Sequence, residues 1–297
     1  MAPHPALAPG FAIETSPARA AACLFTVDVE DWFHSNFVSL REFDATGLPR
    51  RVEEGVAHLM DELAQVGAQG TFFVLGVVAE QHPRLVRQIA DAGHEVGCHS
   101  LNHTLIYQQD PDTLRAELTR ARRVLQDQSG QPVLGFRAPS WSITTRSLWA
   151  LDVLAEVGFR YDSSIFPAKN YMYGMDNVPP DPYEITTPSG ARITEIPPST
   201  LAVGPRRIGV GGGVYLRAFP LAVQRYAMQR ALARGAPFVL YVHPREFDVA
   251  AWKYRLPLSR QEQLIHSFGL RRGHTRLRRL LREGTWRSMA SLLPAVN

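Results

Sequence analysis

The stretch ACLFTVDV, residues 22–29, is almost wholly apolar and rich in β-branched residues, which is typical of a strand buried on both faces. The next patterned segment, VEEGVAHLMDELAQVG (52–67), carries apolar residues at helical spacing, and Gly67 can end that helix. GTFFVLG (70–76) is again a short apolar run and predicts a second strand. A strand, a helix and a strand in this order are typical of a parallel sheet.

The same alternation continues along the chain. Further helices are predicted at 81–94, 110–130, 145–157 and 219–234, and further strands at 95–100, 133–139, 159–164, 191–197 and 237–243. About seven strand–helix pairs predict an α/β fold whose parallel sheet is either closed into a barrel or doubly wound. The segments 165–190 and 209–215 are predicted to be loops, and the glycines of the second lack the spacing of a nucleotide site.

The composition is ordinary for a globular protein, with 45% apolar and 20% charged residues in a chain of 297. No apolar run is long enough to predict a transmembrane helix. Cys23 and Cys98 lie in apolar surroundings, which predicts small buried hydrophobic residues rather than a disulfide. Residues 1–20 are rich in Ala and Pro and lack a basic start, so we predict a flexible lead-in, no signal peptide and a cytoplasmic protein.

The net charge is +4, and much of the excess lies in residues 270–287, which carry seven arginines and one acid. This segment predicts the solvated face of a C-terminal helix. The alternative is peripheral contact with an anionic partner, either a membrane surface or an acidic glycan. The excess is mild, and no nucleic-acid partner is predicted.

Residues able to do chemistry lie at the C-terminal ends of the predicted strands. They are Asp28, Glu30 and Asp31 after the first strand, His99 and His103 after the third, Arg137 after the fourth, Asp162 after the fifth and His243 after the last. In a parallel barrel these ends converge on one mouth. The sequence therefore predicts a single site there.

The segment GCHSLNHTLIY (97–107) holds two histidines four residues apart. On a helical turn, His99 and His103 would share one face, so both rings could reach one metal ion. A carboxylate from elsewhere would complete three protein ligands and leave a position for water, which is the arrangement of a catalytic zinc site.

The acids come from FTVDVEDWFH (25–34). Carboxylates at the end of an apolar strand are unfavourable unless they are paired or bind a cation. Asp28 and Glu30 share one face of the strand because its side chains alternate, whereas Asp31 would point away if the strand continues. The alternative interpretation is a cluster of acids that caps a helix just past the strand.

Together these motifs resemble those of the polysaccharide deacetylase family, also called the NodB-homology family or carbohydrate esterase family 4. The motifs are TVDVED, HSLNH, RAPSW, YDSS and LYVHP, in that order between residues 26 and 244. The longer stretches VDVEDWFH, GFRAPSWSIT, YDSSIFP, EIPPST and YVHPREFD resemble the branch found in bacterial exopolysaccharide loci with exosortase systems. The resemblance covers about residues 22–285.

The resemblance implies a deformed (β/α) barrel of about seven parallel strands, a divalent metal that is usually zinc, and removal of N-acetyl groups from amino sugars of an N-acetylated glycan during exopolysaccharide biosynthesis. Carried over by position, it implies that Asp28 is the catalytic base and that Arg137 pairs with it. His99 and His103 match the two histidine ligands, and His243 matches the general acid.

One motif departs from the family pattern, which usually has two adjacent aspartates. Here two residues separate Asp28 from Asp31. We predict Glu30 as the acidic metal ligand because it shares a face with Asp28, and Asp31 is the alternative if a sharp bend follows Val29. Asp162 is expected either to orient His243 or to cap a turn.

We predict three regions: a lead-in over 1–20, a catalytic barrel over 21–250 and a basic helical extension over 251–297 that packs on the barrel. Aromatic residues that could stack on sugar rings are Trp32, Trp141, Tyr171 and Tyr173. Four histidines without an identifiable partner are interpreted as structural, namely His34, His82, His94 and His274.

Two other functions fit the same scaffold. The unusual order of acids allows a hydrolase of small amides, allantoinase-like or deformylase-like. An inactive barrel that only binds glycans is the second alternative, although the complete set of candidate ligands argues against it.

Overall fold

Seven parallel strands form the centre of the computed structural model, which describes residues 7–15, 21–40, 43–170 and 173–294. The strands are β1 (Ala12–Glu14), β2 (Cys23–Val29), β3 (Thr71–Val74), β4 (Glu95–Cys98), β5 (Gly135–Phe136), β6 (Tyr161–Asp162), β7 (Tyr183–Thr186), β8 (Arg192–Glu195), β9 (Thr200–Val203), β10 (Arg206–Gly209), β11 (Phe238–Val242) and β12 (Trp286–Arg287). The helices are α1 (Val52–Ala64), α2 (Gly76–Gln81), α3 (Pro83–Asp91), α4 (Pro111–Ser129), α5 (Ala150–Val157), α6 (Gly213–Ala218), α7 (Leu221–Ala233), α8 (Arg260–Ser267) and α9 (Leu270–Leu281).

The sheet runs in the order β1-β7-β8-β6-β5-β4-β3-β2-β11. Every neighbouring pair from β8 to β11 is parallel, whereas β7 pairs antiparallel with β8 and β1 antiparallel with β7. β12 adds to the start of β2, and β9 and β10 form a separate hairpin. The seven strands predicted from the sequence coincide with the seven parallel ones, so the predicted α/β fold is confirmed.

This sheet curls into an incomplete barrel. Leu24, Phe73, Tyr161, Ile196 and Val239 come from different strands or strand ends, yet they share one buried cluster, which is possible only if the sheet closes around them. No ladder between described strands joins β11 to β8. The gap is bridged by single hydrogen bonds, from the Tyr241 amide to the Gly211 carbonyl at 2.6 Å and from the Val239 amide to the Ser199 hydroxyl at 2.8 Å. This is the deformed barrel that the motifs implied.

Alternation along β2 sets the direction of the candidate site residues. Phe25 and Val27 point outward into the large core formed with the helices, where a buried side chain of this size contributes about 1.5–3 kcal/mol. Leu24 points inward, and Thr26 and Asp28 share its face, with Asp28 nearest the C-terminal end of the strand.

The C-terminal segment belongs to the same body of structure. β12 pairs with β2, and Met289 and Leu292 fill the barrel interior below the candidate site. The division of the chain at residue 250 stays a prediction. α9 buries Leu277, Leu280 and Leu281 and exposes most of its arginines, as predicted for a solvated helix face, while contact with an anionic partner stays a prediction.

Three predictions of local structure were wrong. The predicted loop at 165–190 contains β7. The predicted loop at 209–215 contains the start of α6, and Gly212 there adopts φ 141° with the site of a Cβ only 1.8 Å from the Tyr241 carbonyl oxygen, so only glycine fits. The predicted strand at 70–76 ends at Val74 because α2 begins at Gly76.

Cys23 and Cys98 are buried, unpaired thiols, as predicted. Among the described residues, no helix combines the length and the apolar character that crossing a membrane requires.

Candidate metal and catalytic site

The carboxyl ends of the parallel strands surround a cavity of about 300 Å³. Five of the residues predicted from the sequence line it: Asp28, Glu30, His99, His103 and His243. Arg137 is fully buried and bonded to Asp28, whereas Asp31 and Asp162 lie outside the cavity lining. The predicted convergence at one mouth is therefore observed for these five residues.

Glu30, His99 and His103 form a buried cluster of three donors. Glu30 Oε2 lies 2.7 Å from His103 Nε2 and 3.8 Å from His99 Nε2, and one ligand atom from each residue lies within 4.8 Å of the others. Burial acts to raise the pKa of Glu30, but the attraction and hydrogen bond of His103, followed by weaker interactions with His99 and His243, outweigh it and hold the pKa well below its usual range. Glu30 is therefore an ionised carboxylate.

The two histidines meet through an irregular loop, so the predicted helical turn was wrong. Ser100 has φ 70° and His103 has φ 59°, which breaks any helix between the two rings. His99 lies directly after β4, and its Nδ1 is 2.8 Å from the Arg137 carbonyl oxygen. Because a carbonyl only accepts, this Nδ1 carries the proton, and Nε2 presents its lone pair to the cluster.

Asn36 holds His103, and no sequence motif pointed to it. Its Nδ2 lies 3.2 Å from His103 Nδ1 and 3.1 Å from the Ser140 hydroxyl. The amide can rotate by half a turn and offer its oxygen to a protonated Nδ1, which leaves Nε2 of His103 free as a donor to a cation. One carboxylate oxygen and two imidazole nitrogens, all buried and facing one another, fit a divalent metal such as zinc.

Asp31 has a different task. Its carboxylate accepts hydrogen bonds from the Trp32 amide and from the Arg51 amide at the start of α1, at 3.0–3.1 Å. Asp31 thus caps backbone amides, one of them at the start of a helix, as in the alternative interpretation of the acid cluster. The geometry favours Glu30 as the acidic metal ligand.

Asp28 is fixed by the buried Arg137. The guanidinium Nη1 lies 2.7 Å from Asp28 Oδ1 and 2.8 Å from the Thr26 hydroxyl, and Nη2 donates to the Ser163 hydroxyl at 3.0 Å. The guanidinium also stacks on Phe73, with its central carbon 4.3 Å from the ring centroid. Asp28 Oδ2 makes no bond to Arg137 and instead faces His243 Nε2 at 3.9 Å.

His243 is supported by Glu246, which the motifs did not single out. His243 Nδ1 lies 3.5 Å from Glu246 Oε2, and the His243 amide donates to the same oxygen at 3.2 Å. Burial acts to lower the pKa of His243, but the interaction with Glu246, followed by weaker attraction to Glu30 and Asp28, raises it above its usual value. The sequence did contain a signal for this contact. Glu246 follows His243 by three residues across Pro244, and in a helical turn that spacing brings the later side chain back to the first residue.

Glu246 is in turn held by Arg217, a buried cation. Arg217 Nε lies 2.9 Å from Glu246 Oε1, and its other nitrogens donate to carbonyl oxygens of Ile265, His266 and Phe268 at the end of α8. Burial acts to raise the pKa of Glu246, but Arg217 and His243 lower it to about 2. The carboxylate beside the imidazole is therefore permanently charged.

Asp162 does not contact His243, so the first of its two expected roles was wrong. It accepts a hydrogen bond from the Ser164 hydroxyl, which agrees with the second role, a turn cap. It also faces Glu195, and both side chains are fully buried. Burial raises the pKa of Asp162 to about 6 and that of Glu195 well above its usual value, so this pair retains a proton near neutral pH.

Only some of the aromatic residues predicted to stack on sugar rings lie at the cavity. Trp141 and Tyr173 line the cavity, together with Tyr215 and Tyr241, which the sequence did not single out. Trp32 is instead buried outside the cavity lining and stacks on Tyr254 with ring centroids 5.1 Å apart. Tyr171 lies outside the described residues.

His34, interpreted from the sequence as structural, lies at the site itself. It lines the cavity and stacks on His103 with ring centroids 6.0 Å apart, while its Nδ1 accepts from the Asp31 amide at 2.9 Å. Burial, followed by repulsion from His103, lowers its pKa to about 4, so the ring is neutral. His82, His94 and His274 lie outside this cavity lining, as predicted.

Two family models match the chain in succession. Residues 41–161 match the model described as polysaccharide deacetylase, and residues 163–294 match a domain of unknown function, DUF3473. The first match contains His99, His103 and Arg137, and the second contains His243 and Glu246.

Curated relatives match over part of their length. A peptidoglycan-N-acetylglucosamine deacetylase of Bacillus cereus is 30% identical over 95 residues, which are 32% of this chain and 34% of that protein. A chitooligosaccharide deacetylase of Bradyrhizobium sp. is 31% identical over 98 residues, which are 33% of this chain and 42% of that protein. The chain thus spans about a third to two fifths of the length of these relatives.

Solved structures share the fold. A putative polysaccharide deacetylase from Mycobacterium smegmatis superposes with a TM-score of 0.61 at 23% identity, covering 94% of this chain and 91% of that one. The Puue allantoinase superposes with a TM-score of 0.58 at 17% identity, covering 93% and 90%. Residues 41–161 thus match the polysaccharide deacetylase family, and the deformed barrel is shared with both of these structures.

Proposed function

We propose that this protein is a metal-dependent deacetylase that hydrolyses the N-acetyl groups of amino sugars in a glycan. One observation carries the proposal: a buried Glu–His–His donor cluster shares a single cavity with an arginine-fixed aspartate and a glutamate-supported histidine. Relatives that match part of the chain are named as deacetylases of peptidoglycan and of chitooligosaccharides, which supports the reaction class.

The metal would be held by Glu30, His99 and His103. When bound there, a divalent cation supplies a Lewis acid that polarises the amide carbonyl and lowers the pKa of water, and zinc is the ion that the donor set favours. The other tasks of amide hydrolysis fall to side chains of the chain itself.

Asp28 is the base that takes a proton from the attacking water. Arg137 occupies Oδ1, whereas Oδ2 faces His243 across 3.9 Å and is available to accept a proton. Base catalysis of this kind contributes roughly 100- to 10,000-fold to the rate.

His243 is the acid that protonates the departing amine. The charged Glu246 favours the imidazolium, and its contact with Nδ1 leaves Nε2 directed toward Asp28 and the reacting atoms. An amine leaves readily only as the neutral molecule, so a proton must arrive as the C–N bond breaks. Asp28 therefore deprotonates the attacking water, and His243 protonates the departing amine of the same amide.

The alternative of a small-amide hydrolase has the shared allantoinase fold in its favour. A longer substrate is favoured by a second cavity that adjoins the first and shares seven lining residues with it. The proposal includes a role in exopolysaccharide biosynthesis and membership of the exosortase-associated branch, both of which are supported by the sequence motifs. It also includes a cytoplasmic location, which is supported by the composition.

A substrate panel tests the proposal. The zinc-loaded protein is incubated with oligomers of N-acetylglucosamine, with allantoin and with N-formylated amino acids, and released acetate, allantoate and formate are measured. Acetate release from the oligomers alone supports the deacetylase. Hydrolysis of the small amides alone identifies the alternative, and a metal-loaded protein that binds oligomers without hydrolysis identifies an inactive binding barrel.

A further inference from the structure

The cavity that holds the donor cluster continues into a second groove of about 790 Å³. His103, Asn36 and Ser140 are among the residues that border both. Residues 35–38 and Leu40 also line the groove, and so do Arg146 and Lys169. A chain that places one unit at the donor cluster therefore has a continuous path past His103 into this groove.

The lining suits a sugar chain. It offers hydroxyl and amide side chains that can bond to sugar hydroxyls, namely Thr104, Gln108, Ser140, Thr144 and Thr145. The rings of Phe37, Tyr107 and Tyr173 add apolar faces. None of the described residues that line this groove is acidic, in contrast to the first cavity with its three carboxylates.

Two cations lie in this groove without a carboxylate. Arg146 and Lys169 are exposed, and no described acidic side chain lies within 4.0 Å of either. Other exposed arginines do have such partners, for example Arg120 with Glu80 and Arg225 with Glu283. The charges of Arg146 and Lys169 are therefore available to a ligand.

Arg146 is also positioned in advance. Its guanidinium lies over the ring of Tyr107, with the central carbon 4.7 Å from the ring centroid. A stacked guanidinium keeps its N–H donors in the plane of the group, so they stay available for a planar or tetrahedral anion. Stacking also reduces the loss of side-chain entropy that accompanies binding.

We propose that the groove binds the part of the glycan that adjoins the reacting sugar, and that Arg146 and Lys169 recognise an anionic group on it. This inference rests on the proposed deacetylase function and narrows its substrate to an acidic glycan. The anion is a carboxylate of an acidic sugar or a phosphate at the reducing end, since both offer charged oxygens to the same two cations.

The test compares three hexasaccharides of equal length. One is neutral N-acetylglucosamine hexamer, one alternates N-acetylglucosamine with glucuronic acid, and one is the neutral hexamer with a 1-phosphate. Dissociation constants are measured by calorimetry on zinc-loaded protein carrying Asp28→Asn, which prevents turnover, and acetate release is measured on the zinc-loaded wild type. The groove variant is R146Q/K169Q, and R272Q/R279Q on α9 is the control with the same change of net charge.

The acidic hexamer is expected to bind roughly 2- to 30-fold more tightly than the neutral one, because each of two exposed ion pairs contributes modestly. This preference should shrink in 0.5 M salt, disappear in R146Q/K169Q and persist in R272Q/R279Q. A preference for the phosphate alone, lost in the same variant, also supports the groove and assigns its ligand to the phosphate.

Equal affinities for all three hexamers, or a preference that the control variant loses as fully as the groove variant, would overturn the inference. Failure of the proposed function is a separate outcome. In that case no hexamer releases acetate, while the preference for the anionic hexamer and its loss in R146Q/K169Q are still measurable.

Discussion

Glu246 Oε2 lies 3.5 Å from His243 Nδ1, and the two residues belong to one turn closed by the His243 amide. The carboxylate that supports His243, the candidate general acid, therefore comes from the same turn as His243. The motifs had suggested that Asp162 supplies it. Arg217 fixes the other oxygen of Glu246 at 2.9 Å and ties this turn to the end of α8.

Replacing Glu246 by Gln should lower kcat about 10- to 100-fold while the metal stays bound. The loss is smaller than the full contribution of a general acid because His243 itself remains. In the wild type, Glu246 raises the pKa of His243, so activity should fall as pH rises through that pKa. Without this charge the fall should begin at lower pH. Rate profiles against pH measure the shift. Asp162→Asn is the control, because Asp162 does not contact His243, and an alkaline limb that does not move in E246Q would contradict the role of Glu246.

His243→Ala should remove the proton donor itself and lower kcat by roughly 100- to 10,000-fold. The metal should stay bound, since His243 is not part of the donor cluster. Elemental analysis alongside steady-state kinetics separates the two effects. Loss of the metal from this variant would mean that His243 is a ligand and not the acid.

His99→Ala or His103→Ala should weaken zinc binding at least about 100-fold and abolish activity while the fold persists, because each removes one of three protein donors. His34→Ala is the matched control, since this ring lines the same cavity and stacks on His103 but is not a donor. Competition with a chelator gives the affinities. Unchanged zinc affinity in both ligand variants would show that the cluster does not hold the metal.

Glu30→Gln and Asp31→Asn distinguish the two acids. Glu30→Gln should lose zinc, because the carboxylate faces both imidazoles. Asp31→Asn should keep zinc and lower the free energy of unfolding by about 1–3 kcal/mol, since its oxygens accept buried amide hydrogen bonds. The reverse pattern in zinc titrations and urea denaturation would assign the ligand to Asp31.

The buried pair Asp162 and Glu195 should make stability depend on pH. Both carboxyls have pKa values raised in the folded state, so their contribution is complete below the unfolded pKa near 4 and is lost as pH rises through about 6 and above. The free energy of unfolding of the wild type should therefore fall relative to Asp162→Asn between pH 5 and pH 8, by at most about 1.4 kcal/mol per pH unit for each proton. Urea denaturation across this range measures it. Parallel curves for the two proteins would contradict the raised pKa, and the exposed Glu156→Gln should give a curve parallel to the wild type.

Strand periodicity and strand ends were enough to predict the parallel sheet and its mouth. Asp28, His99 and His243 follow apolar runs, and parallel strands necessarily bring such ends together. The loop geometry was not predictable in the same way. His103 reaches Glu30 only because two residues of its loop adopt positive φ, and such conformations have no periodic signature.

The supporting residues were missed for a related reason. Asn36 and Arg217 come from segments far in sequence from the side chains they hold, and neither belongs to a motif with a recognisable spacing. Their roles depend on how loops pack around the mouth, which is a tertiary property.

The most direct test is a titration of the metal-stripped protein with zinc while acetate release from an N-acetylglucosamine oligomer is followed. Acetate release is predicted to rise linearly from near zero and to saturate at one zinc ion per chain. Release that is independent of zinc, or absent from a protein shown to hold one zinc ion at the Glu30, His99 and His103 cluster, would contradict the proposed metal-dependent deacetylase.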